Sequence, residues 1–145
     1  MTDQRFPKRL RLLSQIDFRA VYNDHTAGSD AMIRLLGRLN DTPDSRIGLS
    51  VSRKVGNAVC RNRWKRLLRE AFRLSREKLP EGLDFIVIPR ENATPELEPL
   101  KKSLVDLTWR VQKRLKRDAA TKWRDGVEGK WREREKRESR KSSDE

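Results

Sequence analysis

The order of residues predicts an α+β protein, a two-layer sandwich of helices on a small mixed sheet, arranged helix–strand–strand–helix–strand–helix. Two observations carry the elements. Residues 46–52 alternate apolar with small or polar side chains, the period of a strand with two different faces. Residues 56–76 instead place their apolar side chains at helical spacing. A third observation concerns connection: one strand pair is joined by a short polar turn and the next by that helix, which calls for a mixed sheet with helices packed on it.

Taken in order, residues 1 to about 13 are basic and irregular around Pro7, with Arg5, Lys8, Arg9 and Arg11. Ser14 followed by Asp17 reads as a capping box and starts a helix over Gln15 to Asn23. Residues 24–30 read as a polar loop, Met32 to Leu39 as a strand, and Asn40 to Ser45 as a turn-rich connector. In the strand from Arg46 to Ser52, Ile47, Leu49 and Val51 point one way and Gly48, Ser50 and Ser52 the other. A long helix follows from about Ala58 to Lys78, ended by Leu79-Pro80-Glu81-Gly82. Phe85 to Ile88 is a short apolar strand stopped by Pro89. A last helix from about Glu96 to Arg117 carries Leu100, Leu104, Leu107, Val111 and Leu115 as its stripe. Residues 1–117 thus form one domain. Residues 118–145 read as a charged tail, helical or disordered, with little to bury besides Trp123, Val127 and Trp131.

Charge narrows the function classes. Lys and Arg total 35 against 22 Asp and Glu, a net charge of +13. Such a field concentrates polyanions. No apolar run approaches the ~20 residues of a membrane span, and no signal-peptide core precedes the first helix, so a soluble cytoplasmic protein is expected. The single cysteine, Cys60, excludes an intramolecular disulfide.

The basic charge is concentrated on one helix. At ~100° per residue, Cys60, Trp64, Leu67, Leu68, Ala71 and Phe72 share a core arc. Arg61, Asn62, Lys65, Arg66, Arg69, Arg73 and Arg76 occupy the other side, with Arg63 at the boundary. Glu70 is the one acid in the segment and falls beyond the basic stripe. Solvated helix faces usually mix both signs. A face of cations suits phosphates, which the arginine fork can hold bidentately while counterions are released.

Catalytic constellations are missing from the sequence. His25 is the one histidine and falls in a predicted loop, Cys60 lies on the core arc, and no carboxylates cluster near the basic face. A protein-only nuclease is therefore disfavoured.

Arg61-Asn62-Arg63-Trp64-Lys65-Arg66, continued by Leu67 to Phe72, resembles the arginine-rich signature of the bacterial ribonuclease P protein family. The approach from Arg46 to Val59 is similar to that family's strand and loop, as is the opening from Phe6-Pro7-Lys8 through Phe18 and Tyr22. The likeness covers residues 6 to about 115. It implies a ribosomal-protein-like fold with a left-handed βαβ crossover, and a role as protein subunit of the endoribonuclease that removes the 5′ leader of precursor tRNA. In that family the RNA subunit is catalytic, with magnesium held largely by RNA, and the protein is a non-catalytic partner with no cofactor of its own. The resemblance also implies no membrane and no obligate protein partner.

Carried onto this chain, the contacts to catalytic RNA would be Arg53, Lys54, Asn57, Arg61, Asn62, Arg63, Lys65, Arg66 and Arg69. The leader cleft would be Phe18, Tyr22, Ile33, Leu35, Ser50 and Ser52. Phe18 and Tyr22 lie four apart and face one way; the residues alone allow them to be core aromatics or platforms for unpaired bases. The small Gly48/Ser50/Ser52 face would leave room for a strand. Three features depart from the family pattern: aliphatic Ile33 and Leu35 where an aromatic is common, Trp64 on the core arc, and the long tail. The other reading is a structural ribosomal-type RNA binder with no reaction attached.

Overall fold

Ser14 caps the first helix as its spacing predicts: its hydroxyl accepts the Asp17 N–H at 3.1 Å, and α1 runs over Gln15–Asn23. The computed structural model describes the backbone of residues 7–143 and the side chains of residues 7–123; Arg5 and Phe6 lie outside this range. The remaining elements are β1 (Thr26–Ser29), β2 (Ile33–Leu39), β3 (Arg46–Leu49), α2 (Ala58–Ser75), β4 (Leu83–Pro89) and α3 (Leu97–Ser143). Single 3-10 turns precede α1 at Lys8–Leu10, lead into α2 at Arg53–Val55, and follow it at Arg76–Lys78.

The sheet is mixed, with strand order β1-β2-β4-β3. β4 is central, antiparallel to β2 (Ile33↔Pro89 to Leu39↔Leu83) and parallel to β3 (Arg46↔Asp84 to Leu49↔Val87). Burial on both faces explains its continuous apolar run. Pro89 is the last residue of β4, and one further bond to the β2 side follows it, the Arg90 N–H donating to the Met32 carbonyl at 3.0 Å. The outer edge of β3 is covered by the N-terminal segment, where the Leu12 N–H donates to the Ile47 carbonyl at 2.9 Å.

Alternation assigns the two faces. Leu36 and Ile86 form a cluster with Leu12 and Val21, against which Phe18, Ala27 and Ile88 pack; this is the α1 face. Ile33, Leu35 and Gly37 therefore point to the other face, where a Cβ on Gly37 would meet Val111 of α3 at 2.6 Å. Phe85 on that face lies 6.0 Å, centroid to centroid, from Phe72 of α2. Two layers hold for α2, α3 and the sheet, and α1 adds a partial third on the opposite side.

Three elements differ from the sequence reading. Residues 24–30 were expected as loop, but Thr26–Ser29 form the edge strand β1, paired antiparallel with β2 from Thr26↔Gly37 to Ser29↔Arg34. Its sequence, TAGS, has no apolar alternation, so pairing with a strong neighbour decides its conformation. The strand expected over Arg46 to Ser52 stops at Leu49. One further ladder bond, Ser50 N–H to Val87 carbonyl at 3.0 Å, precedes the turn into α2. The last helix does not end near Arg117 but continues to Ser143. The chain divides into two units, Met1–Lys113 and Arg114–Glu145, so the division expected after Arg117 falls four residues earlier.

Candidate nucleic-acid interface

Gly56 has φ +146°, a value that L side chains rarely adopt, and a Cβ there would approach Cys60 Cβ at 2.9 Å. That turn delivers Asn57 as N-cap of α2, its Oδ1 accepting the Cys60 N–H at 3.0 Å. Asn57 thus has a structural duty at the point where an RNA contact was expected. From this start the helix buries Trp64, Leu68, Ala71 and Phe72. Cys60, expected on the core arc, is exposed, because it lies in the first turn, where the helix has not yet reached the sheet. Asn62, Arg63, Arg66 and Arg69 are exposed, while Arg61 and Lys65 are half-buried. Arg53 and Lys54 are exposed on the approach turn.

The outward side of α2 borders a groove of ≈ 450 Å³ lined by Arg11, Asn62, Lys65, Arg66, Arg69, Glu70 and Arg73. Arg11 comes from the N-terminal segment and reaches this groove because its residue bridges to β3. Glu70 is not beyond the stripe, as the wheel suggested, but pairs with Arg73, one turn along. Arg61 Nε is buried with no acceptor among the described residues. A guanidinium held in that way is ready to donate to an incoming oxygen.

On the α1 face of the sheet, Phe18 is half-buried and Tyr22 is 44% exposed, with ring centroids 6.5 Å apart and planes tilted by 32°. Gly48 does not leave open space: a Cβ there would meet Phe18 Cζ at 2.8 Å and Leu12 Cβ at 3.2 Å. Phe18 therefore serves as lid on β3, and Tyr22 presents the accessible aromatic surface. Ser50 is half-buried and Ser52 exposed. Ile33 and Leu35 do not belong to this surface; both are 0% exposed and lie on the α2/α3 face. Their neighbours Arg34 and Arg38 share the parity of Leu36, so they stand exposed on the α1 side. The alternation 34-36-38 against 33-35-37 was present in the sequence; which set faced α1 was not.

Other polar groups are taken up by the fold. Arg46 holds Asp84 through Nε–Oδ1 at 2.8 Å and Nη2–Oδ2 at 2.5 Å, with Asp17 3.5 Å away. Hydrogen bonding to Asp84 raises the guanidinium pKa further despite its desolvation. His25 Nδ1 lies 2.9 Å from the Val21 carbonyl and 3.1 Å from that of Tyr22, closing the end of α1. Among the described residues no three His, Cys, Asp or Glu side chains gather as a metal site. No helix among them is long and apolar enough to cross a membrane.

Cations along one helix and an accessible aromatic on the opposite, α1 face of the sheet, with the lone histidine spent on a cap, fit an RNA-binding protein of the α+β class. The Ribonuclease P family pattern matches residues 6–112. The chain is 43% identical over 90 residues to the ribonuclease P protein component of Methylococcus capsulatus, covering 61% of this chain and 70% of that one. Identity to the same component of Escherichia coli is 38% over 113 residues, covering 77% and 94%. The solved ribonuclease P protein of Thermotoga maritima superposes with TM-score 0.62 at 31% identity, over 70% of this chain and 96% of that one. That of Staphylococcus aureus gives 0.58 at 30% identity, over 72% and 93%. The chain belongs to the ribonuclease P protein family, and its function is that of the protein component of this endoribonuclease of tRNA 5′ maturation. Its partner in the ribonucleoprotein is RNA.

Proposed function

We propose that the α2 surface seats the catalytic RNA subunit while the α1 face of the sheet guides the 5′ leader of precursor tRNA. The observation that carries this reading is the groove beside α2, where five cations meet a single acid, Glu70. Phosphates neutralised there release counterions, so affinity would rest on Arg61, Arg63, Lys65, Arg66 and Arg69, with Arg53, Lys54 and Asn62 at its margins. Asn57 positions the helix start.

The leader would pass Tyr22 and the exposed edge of Phe18, near Ser50 and Ser52. Leu36 forms the apolar floor, with the Arg34 and Arg38 guanidinium groups on the same side for phosphates. Aromatic stacking tolerates any base, which suits leaders of varied sequence. Hydrolysis itself would fall to the RNA with magnesium held by its phosphates, the protein contributing position and charge.

Binding of full-length chain to the catalytic RNA over a salt series tests the reading. Arg61→Ala, Lys65→Ala and Arg66→Ala should each weaken binding and flatten the log–log salt slope by about one unit. Unchanged slopes in all three would refute the α2 assignment. Cleavage of precursor tRNA at low magnesium, with and without that RNA, separates a subunit of the nuclease from a purely structural RNA binder.

A further inference from the structure

On the α1 face of the sheet one cross-strand row is entirely charged. Arg38 of β2 lies directly opposite Asp84 of β4, and Asp84 directly opposite Arg46 of β3. The neighbouring row is apolar, with Leu36, Ile86 and Gly48 beneath Phe18. Two arginines thus compete for one nearly buried carboxylate, its side chain 8% exposed. Opposite residues in a sheet have Cβ atoms about 4.5–5.5 Å apart, so either guanidinium can reach it.

Arg46 holds it. Its Nε donates to Asp84 Oδ1 at 2.8 Å and its Nη2 to Oδ2 at 2.5 Å, while Asn40 Nδ2 donates to Oδ1 at 2.8 Å. The Nη1 of the same arginine meets Asp17 of α1 at 3.5 Å. One side chain therefore occupies both carboxylates. With three of its roughly four acceptor sites filled, Asp84 has little left to offer a second guanidinium. Arg38 is exposed and, among the described residues, has no hydrogen-bond or ion-pair partner.

We infer that Arg46 is a positioning residue for the leader: by taking Asp84 and Asp17 it leaves the Arg38 guanidinium free to hold a leader phosphate. Without Arg46 the Asp84 carboxylate would be buried and uncompensated, which is costly. The facing Arg38 would turn in to pair with it, and the cleft would lose a cation with no change at Arg38 itself. Arg34, roughly 13 Å away along β2 at about 3.3 Å per residue, faces Ile88 and Ser29, so no acid opposite competes for it. The inference rests on the reading that the α1 face guides the leader.

The test uses the holoenzyme of full-length chain and catalytic RNA. Binding of precursor and mature tRNA is measured across a monovalent salt series at fixed magnesium. The difference between the two log–log slopes reports the leader phosphates that are held. Arg38→Gln should lower it by about 0.7, the share of one single-strand phosphate. Arg46→Gln should lower it equally, and adding Asp84→Asn to Arg46→Gln should restore it, since no carboxylate is left to claim Arg38. In the Arg38→Gln background, Arg46→Gln should change the slope no further. A smaller folded fraction lowers the active concentration and not the slope, so lost stability does not imitate this pattern. Arg38→Gln alters an exposed residue without partners, so it stays decisive if Arg46→Gln assembles poorly. An unchanged slope in Arg38→Gln overturns the inference. So does a slope that Asp84→Asn fails to restore, or an equal loss with mature tRNA. Tyr22→Ala measured beside them keeps the failures apart: if it alone weakens precursor binding, only the role of Arg46 falls, and if nothing does, the leader reading falls as well.

Discussion

Tyr22 and Ile33 lie on opposite sides of one sheet, so their truncations should register in different assays. Ile33 is fully buried on the face of β2 away from α1, and Ile33→Ala should cost about 2–5 kcal/mol of stability while leaving the selectivity of the folded fraction intact. Tyr22 is 44% exposed. Tyr22→Ala should keep the fold and reduce discrimination between precursor and mature tRNA by about 1–3 kcal/mol, the worth of one base–aromatic stack. Urea denaturation paired with competitive binding of the two RNAs separates the cases; a large stability loss with equal weakening for both would return Tyr22 to the core. The four-residue spacing of Phe18 and Tyr22 was legible in the sequence, but their division of labour was not. Phe18 is claimed by Gly48 and Leu12, which lie 30 and 6 residues away along the chain.

At the scale of the element, legibility follows local information. α1 and the course of α2 carry their own caps and periodicity, and the structure reproduces their starts at Gln15 and Ala58. β1 carries almost none, and exists because β2 offers it a ladder. Packing of α3 on the sheet depends on the missing side chain at Gly37, where a Cβ would stand 2.6 Å from Val111 Cγ1 and 3.2 Å from Leu83 Cδ1. Gly37→Ala should therefore destabilise the protein by about 1–3 kcal/mol through overpacking. Combining it with Val111→Ala should cost less than the sum of the two single changes, because the second substitution opens the space the first one needs. Strict additivity in urea denaturation would show that the helix moves aside instead.

Across the molecule, the turn before β2 is tied to α3 through one carboxylate. Desolvation by burial pushes the Asp30 carboxyl up, but hydrogen bonds from Ser103 and from the Ile33 and Met32 N–H groups, with Arg90 nearby, together bring it below its ordinary value. A carboxylate with a lowered folded-state pKa contributes stability that is present above its unfolded pKa and lost as pH falls through the folded one. Stability should accordingly decline below about pH 4, and Asp30→Asn, which keeps an acceptor but cannot ionise, should flatten that decline; an unaltered pH profile on thermal denaturation would dismiss the tie. The sequence by itself determined the charge class, the basic helix and where it starts, and the family, because each is written in composition or in residues within a few turns of one another. The tertiary structure alone decided which face of β2 meets α1, that Cys60 is exposed, and that TAGS is a strand. Side-chain alternation defines two faces without saying which one a distant helix will cover, and a weak edge strand takes its conformation from its partner.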